Sequence, residues 1–303
     1  MDQYIRPEFL KRGDTVAVVA PASALNEESR KATHWKELLE SWGLKVKTGR
    51  HLYDSMPGGF AGSEEDRAAD LCGALLDPEV KAIISFRGGY GSMHAVRSVD
   101  TSLFRVHPKW LVGFSDITVL HAVLQSYGIE SIHGAMPSTL GEDSRVSEES
   151  LRKALFGELC SYRTASHPFS QTGRAGGRLL GGNLSLVCSC LGTPWEVRMN
   201  EGDILLIEDV DERMYNLDRM LLTLQQGGVF ERAGAIIVGY FTDTEGEKEW
   251  QRTALELVRE YMPAGKPVLF GFPAGHEHPN LSLYLGRQID LTITDDGGYI
   301  QFR

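Results

Sequence analysis

The sequence has no long apolar run. Nowhere do about 18 or more apolar residues follow one another, so no membrane-spanning helix is expected. Cysteine is scarce. Cys72, Cys160, Cys188 and Cys190 are the four among 303 residues, and none form a CxxC pair. A disulfide framework is therefore not expected, and all four read as free structural thiols in a reducing compartment. Positive charge is in the minority, with 31 Lys and Arg against 41 Asp and Glu and a formal net charge of -10. That balance argues against non-specific binding to nucleic acid or anionic lipid, where a cationic face would help. The segment Met1 to Pro7 lacks the apolar core of a secretory signal. There is no GxxxxGK[ST] loop, no dinucleotide fingerprint and no HExxH. What remains is ordinary globular composition, 42% hydrophobic and 24% charged, in a chain long enough for one large domain or two of usual size.

The first half alternates strand and helix. Thr15 to Ala20 is a short β-branched run that ends at Pro21 and suits a strand covered on both faces. Glu28 to Trp42 has helical spacing, with Trp35, Leu38, Leu39 and Trp42 on one face and Gly43 as a stop. Leu44 to Val46, Val80 to Phe86 and Trp110 to Phe114 read as further strands, and Glu64 to Leu76 and Ser92 to Val99 as helices. A helix follows Phe114 directly, with Ile117, Leu120, Leu124 and Tyr127 on one face. This is the βαβ pattern of an open parallel sheet. Residues 1–140 are therefore expected as an N-terminal α/β domain. Residues 141–178, rich in Ser, Arg, Gly and acidic side chains, read as an inter-domain connection with a small helix at Glu148 to Leu155. Residues 179–303 read as a second domain, with strands at Asp203 to Ile207, Ala235 to Tyr240, Val268 to Phe270, Ile289 to Thr294 and Tyr299 to Phe302.

Within the first domain, Gly113-Phe114-Ser115-Asp116-Ile117 puts a serine at a strand-to-helix junction. Such a turn exposes the hydroxyl at the carboxyl edge of the sheet, where the first backbone N–H groups of the helix can stabilise an oxyanion. It is not the GxSxG elbow, because Ile117 stands where the second glycine would be. The plainer alternative is that Ser115 or Asp116 caps the helix, and these residues alone favour it. A nucleophilic serine needs a base and usually an orienting acid. His276 and His278 lie in a Gly/Pro-rich loop after a strand, where such groups are often held. His94 and His121 fall in helical segments, and His133 follows a short apolar strand. For the acid, Glu208 comes directly after the buried run Asp203 to Ile207, although the carboxylates there could equally form a solvated loop.

Taken in order, these segments resemble one family across nearly the whole chain. They are Gly13 to Ser23, Phe86-Arg87-Gly88-Gly89-Tyr90-Gly91, Gly113-Phe114-Ser115-Asp116 and Ile132-His133-Gly134 in the first half. In the second they are Gly181-Gly182-Asn183-Leu184, Leu206-Ile207-Glu208-Asp209-Val210 and Gly275-His276. The sequence is similar to the LD-carboxypeptidases, the muramoyl-tetrapeptide carboxypeptidase family, which also holds relatives that hydrolyse peptidyl-nucleotide antibiotics of the microcin C type. The resemblance implies an N-terminal parallel α/β domain of the class I glutamine-amidotransferase kind and a smaller C-terminal α/β domain with a swivelling or barrel-like sheet. It implies a triad of Ser115 as nucleophile, Glu208 as acid and His276 as base, with the backbone amides of Gly89 and Asp116 as oxyanion hole. No metal or other cofactor is implied. The implied reaction removes terminal D-alanine from the murein tetrapeptide, free or linked to muramic acid, in the cytoplasm and as a homodimer.

Arg87, Tyr90 and Asn183 are the expected substrate-binding residues. Arg87 is chosen because a guanidinium binds a carboxylate bidentately, though it could equally brace the loop. Asp209, Asp211 and Glu212 could attract the amine of diaminopimelate. The alternatives are the microcin C branch, for which Trp195 could face a nucleobase, and a non-catalytic peptide-binding protein, against which the joint presence of Ser115, Glu208 and His276 argues. Metal hydrolysis through His276 and His278 has a weak ligand pattern.

Overall fold

The computed structural model describes residues 4–31, 33–141 and 144–303. Residues 1–3 of the N-terminal reading, residue 32 of the expected first helix and residues 142–143 of the expected connection lie outside them. Among the described residues, no helix is long and apolar enough to cross a membrane. Two compact units emerge. One holds Met1–Leu159 and Leu281–Tyr284, the other Cys160–Asn280 and Leu285–Arg303.

The first unit is built on a parallel sheet. Its strands are β1 (Thr15–Val19), β2 (Lys45–Thr48), β3 (Val80–Ser85), β4 (Trp110–Gly113) and β5 (Ser131–His133). A further strand, Leu283–Leu285, comes from far along the chain and completes the order Leu283–Leu285, β5, β4, β3, β1, β2. Pairing is parallel from β2 to β5. The central strands are unbroken apolar runs because helices cover both faces: β1 is buried at every position, as is β4. The edge strand β2 is exposed and carries Lys45 and Lys47, charges that discourage pairing with another chain. The sequence pattern fits these strands closely. The first helix differs from its expected span: it comes as two pieces, Glu27–Lys31 and His34–Ser41. The second piece starts afresh at Thr33, whose hydroxyl donates to Glu37 at 3.0 Å.

The second unit contains β6 (Ser161–Ala165), β7 (Gly173–Asn183), β8 (Ile204–Val210), β9 (Ala235–Thr242) and β10 (Val268–Phe270). With Leu283–Leu285 counted as β11, the chain ends in β12 (Gln288–Thr294) and β13 (Gly297–Phe302). The sheet order is β10-β9-β8-β7-β12-β13-β6. The long strand β7 joins two halves. Its first residues pair antiparallel with β12, and Leu179 to Asn183 pair parallel with β8. Of the swivelling or barrel-like sheet expected here, the described residues form an open version and not a closed barrel. Its terminal strands are β10 and β6, and the loop residue Gln171 bridges to Val268.

The stretch 141–178 also departs from its reading as a connection. Arg145–Leu155 is a helix of the first unit, and β6 and the start of β7 are strands of the second. Its glycines read as loop in one dimension, but in the sheet they admit close backbone neighbours. A Cβ on Gly177 would collide with the carbonyl oxygen of Gly202, and just beyond the stretch one on Gly181 with that of Leu206.

Candidate active site

In the first unit, β4 delivers Gly113 and Phe114 to a single 3-10 turn, Ser115–Ile117, which runs into the helix Thr118–Ser126. Ser115 has φ 62, a left-handed conformation that a non-glycine residue adopts at a cost. The missing second glycine of an elbow has a local explanation. A Cβ on Gly113 would meet the Ile117 side chain at 2.8 to 3.0 Å, so Gly113 provides the room that Ile117 fills. The strand end is braced by His121, fully buried, whose Nε2 lies 2.9 Å from the Gly113 carbonyl and whose Nδ1 lies 2.8 Å from Ser131 Oγ. Burial pulls this imidazole down to about 3, so it is neutral. Nε2–H then donates to Gly113, and Nδ1 accepts from the serine.

The loop after β3 comes up against this turn. A Cβ on Gly88 would stand 2.9 Å from Ser115 Cβ, 3.1 Å from its Oγ and 3.2 Å from the Asp116 nitrogen. Gly89 has φ 100 and faces the Ser23 side chain. Asp116 is buried, and its Oδ2 accepts the Ser92 N–H at 2.7 Å, which ties the end of the glycine loop to the serine turn. Burial pushes the Asp116 carboxyl up, against the hydrogen bonds from Ser92. Arg87 is half-buried, and its Nη1 donates to the Ala24 carbonyl at 3.2 Å, so it braces the loop. Tyr90 is exposed. Gly88, which the sequence reading does not single out, thus packs against Ser115, and the adjacent Gly-Gly pair is the sequence signal for it.

In the second unit, the apolar run of β8 gives way to a buried carboxylate. Glu208 is 0% exposed, and its register with β9 is broken between Ile207 and Asp209, a bulge of the kind that re-aims a side chain. Two glycines frame it. A Cβ on Gly239 would lie 3.0 Å from Glu208 Cβ, and one on Gly275 would lie 2.7 Å from Oε2. His276 Nδ1 stands 2.9 Å from Glu208 Oε2. An ionised carboxylate only accepts, so Nδ1 carries the hydrogen and Nε2 is the basic nitrogen of neutral His276. Burial lowers the imidazole, but the hydrogen bond and charge of Glu208, with the charge of Asp209, outweigh it and leave His276 above its ordinary value. The loop is anchored by Asn280, buried, whose Oδ1 accepts the Gly275 N–H at 3.2 Å. His278 is exposed and Trp195 half-buried.

Asn183 is buried and engaged within the protein. Its Nδ2 donates to Asp209 at 2.9 Å, and its Oδ1 caps the helix Leu184–Ser189. Asp209 in turn accepts from Ser185 and Val210 backbone N–H groups at 2.9 Å each. Burial, then the charge of Glu208, push Asp209 up to about 7 against those donors. Among the described residues, the side chains close enough together to hold a metal ion are His51, Asp54 and Asp66, a group that includes neither His276 nor His278.

A strained serine at a strand-to-helix turn in one α/β unit, and a buried carboxylate–imidazole pair in the other, are the groups that a serine hydrolase uses. Comparison with known proteins makes the class specific. Residues 16–134 match the LD-carboxypeptidase N-terminal domain and residues 176–291 the LD-carboxypeptidase C-terminal domain. A relative from Bacillus subtilis (strain 168), named as a probable murein peptide carboxypeptidase, is 38% identical over 98% of this chain and 94% of its own. The solved muramoyltetrapeptide carboxypeptidase from Oxalobacter formigenes superposes with a TM-score of 0.84 at 25% identity, covering 95% of this chain and 98% of its own. MccF, solved in complex with glutamyl sulfamoyl guanosine, has a TM-score of 0.86 at 23% identity, covering 100% of this chain and 99% of its own, and shares the fold. The chain belongs to the LD-carboxypeptidase family.

Proposed function

We propose that this protein is a serine carboxypeptidase that hydrolyses the L,D peptide bond between meso-diaminopimelate and the terminal D-alanine of murein tetrapeptides. The observation that carries the reading is Ser115, held at φ 62 at the start of a helix and against a glycine with no side chain to fill the space beside its Oγ. Strain of this kind is kept where function requires it. The murein names carried by the Bacillus and Oxalobacter relatives support the substrate class.

In this mechanism Ser115 Oγ attacks the carbonyl of the terminal peptide bond, and His276 Nε2 takes its proton. Glu208 accepts from Nδ1–H, fixes the tautomer and stabilises the imidazolium. The tetrahedral oxyanion lies against the backbone N–H groups of Asp116 and Gly89. Gly88 keeps that volume open. His276 then protonates the departing D-alanine amine, and water releases the acyl-enzyme by the same steps. Arg87 receives the substrate carboxylate. Action in the cytoplasm on recycled wall peptides, and assembly as a homodimer, belong to the same proposal, and sedimentation of the purified protein tests the second.

The direct test is mass spectrometry of the murein tetrapeptide incubated with wild type and with Ser115→Ala. Loss of one D-alanine with wild type alone is the expected result. Cleavage that survives in pure Ser115→Ala protein removes the triad. Folded wild type that leaves the tetrapeptide intact but cleaves an aminoacyl sulfamoyl nucleotide would move the assignment to the microcin C branch.

A further inference from the structure

Beside the glycine loop stands a hydrogen-bond chain that the proposed mechanism does not use. Tyr90 follows Gly88 and Gly89 directly and is 60% exposed, an unusual state for a tyrosine held so firmly. Its backbone N–H donates to Ser23 Oγ at 3.0 Å. Its ring lies 5.6 Å from that of Phe60 and 5.5 Å, edge-on, from that of His94. Phe60 is itself fixed under the Arg67 guanidinium, 4.9 Å from the ring centre. Arg67 is locked by the carbonyls of Pro21 and Gly91 at 3.0 and 2.7 Å.

The phenol oxygen lies 3.0 Å from His94 Nε2, and His94 Nδ1 lies 3.2 Å from Glu64 Oε1. A carboxylate only accepts, so Nδ1 carries the hydrogen that goes to Glu64. In neutral His94, Nε2 is then an acceptor, and the Tyr90 O–H must donate to it. The phenol oxygen is left with lone pairs alone for whatever approaches from solvent. Its ring adds a negative face, which attracts cations. The charged groups around His94 are Glu64, Arg97 at 3.7 Å from Glu64, Arg67 beneath Phe60 and the buried Asp116.

We infer that Tyr90, oriented by His94 and Glu64, is a specificity residue that reads a protonated amine on the substrate next to the bond cleaved. On the proposed reaction, that group is the remote amine of the diamino acid preceding D-alanine. The inference rests on that reading for the identity of the amine. Asp209 of the second unit is a poorer candidate, because it is buried and its oxygens already accept three N–H groups.

The test compares murein tetrapeptides with the remote amine free or acetylated, at pH 8.5, where an ordinary side-chain amine is still charged. Wild type is expected to favour the free amine by about ten-fold or more in kcat/KM, a typical worth for one charged hydrogen bond, expressed in KM. Tyr90→Phe keeps the ring, loses the acceptor and should bring the two peptides to within about three-fold, a gap of about 0.7 kcal/mol. Glu64→Gln, which can still accept from Nδ1, should keep the preference, and Glu64→Ala should weaken it. Calorimetric binding of both peptides to Ser115→Ala, with and without Tyr90→Phe, needs no turnover. If wild type cleaves neither peptide, the reaction proposed above falls, and the binding measurement still decides the amine. Equal binding of the two peptides, binding of neither, or a preference that survives Tyr90→Phe overturns the inference.

Discussion

Gly275→Ala isolates what the second unit contributes. Gly275 has φ 124, a conformation that L side chains rarely adopt, so an alanine there costs about 1–3 kcal/mol in backbone strain alone. The added methyl would also stand 2.7 Å from Glu208 Oε2, where ordinary contact begins at 3.4 Å. The carboxylate or the loop must therefore yield by about 0.7 Å. Glu208 is wholly buried between Gly239 and Gly275, so the displacement passes to its bond with His276 rather than into solvent. Misplacing a catalytic group by about 1 Å costs about 10²-fold in rate, and a loss of that order in kcat/KM is expected. Gly265→Ala supplies the control. That glycine has φ 79, and nothing lies within 4 Å of an added Cβ, so it carries backbone strain without the collision. It should lower thermal stability by about 1 kcal/mol and leave kcat/KM unchanged. The assays are release of D-alanine from the tetrapeptide and thermal unfolding. A folded Gly275→Ala protein with undiminished activity would refute the role given to Glu208 and His276.

Four further outcomes follow from the same geometry. His276 should titrate above 6.5 by NMR in wild type and below it in Glu208→Gln, where burial persists and the chief raising influence is gone; an unmoved midpoint would contradict the pairing. Because its folded value is raised, this group's stabilisation is complete below 6.5 and is lost as pH rises through the folded value. His121 behaves oppositely: the unfolded chain takes up its proton between 6.5 and about 3 while the folded chain does not, so stability falls with pH across that window, by about 2 kcal/mol between pH 6.5 and 5. His121→Leu should cost about 1–3 kcal/mol at pH 7.5 for the stranded Gly113 and Ser131 groups and less at pH 5, and an equal cost in urea unfolding at both pH values would exclude this account. Gly88→Ala, whose methyl would press on Ser115 and on the Asp116 nitrogen, should lose about 10²-fold or more in kcat with little change in melting temperature. Arg87→Gln should weaken binding of peptide acids more than of the matching amides in a competition assay, and equal effects would leave Arg87 as a brace to Ala24 alone.

The sequence by itself determined the parallel strands of the first unit and the position of the strand-to-helix turn at Ser115. Both depend on local composition. Buried strands between helices must be apolar, and β4 must hand its serine to a helix at once, with Gly113 making room for Ile117. Glu208 was legible for a similar reason, as a carboxylate ending an apolar run. Tertiary structure alone decided what depends on a distant backbone. The glycine-rich start of β7 is a strand because it pairs with β12, a distant partner that nothing in that segment announces. Leu283–Leu285 joins a sheet whose other strands lie more than a hundred residues earlier. Gly88 and Gly89 look alike in one dimension, and only the folded turn shows that a side chain on the first would press on Ser115 and one on the second on Ser23. Tyr90 and His94 are a helical turn apart in the sequence, but Glu64, 30 residues from His94, sets the direction of the hydrogen bond. Ionisation is decided at the same level. Asp209 and His121 are ordinary letters in the sequence, and burial beside a second carboxylate or between two strands gives each its charge.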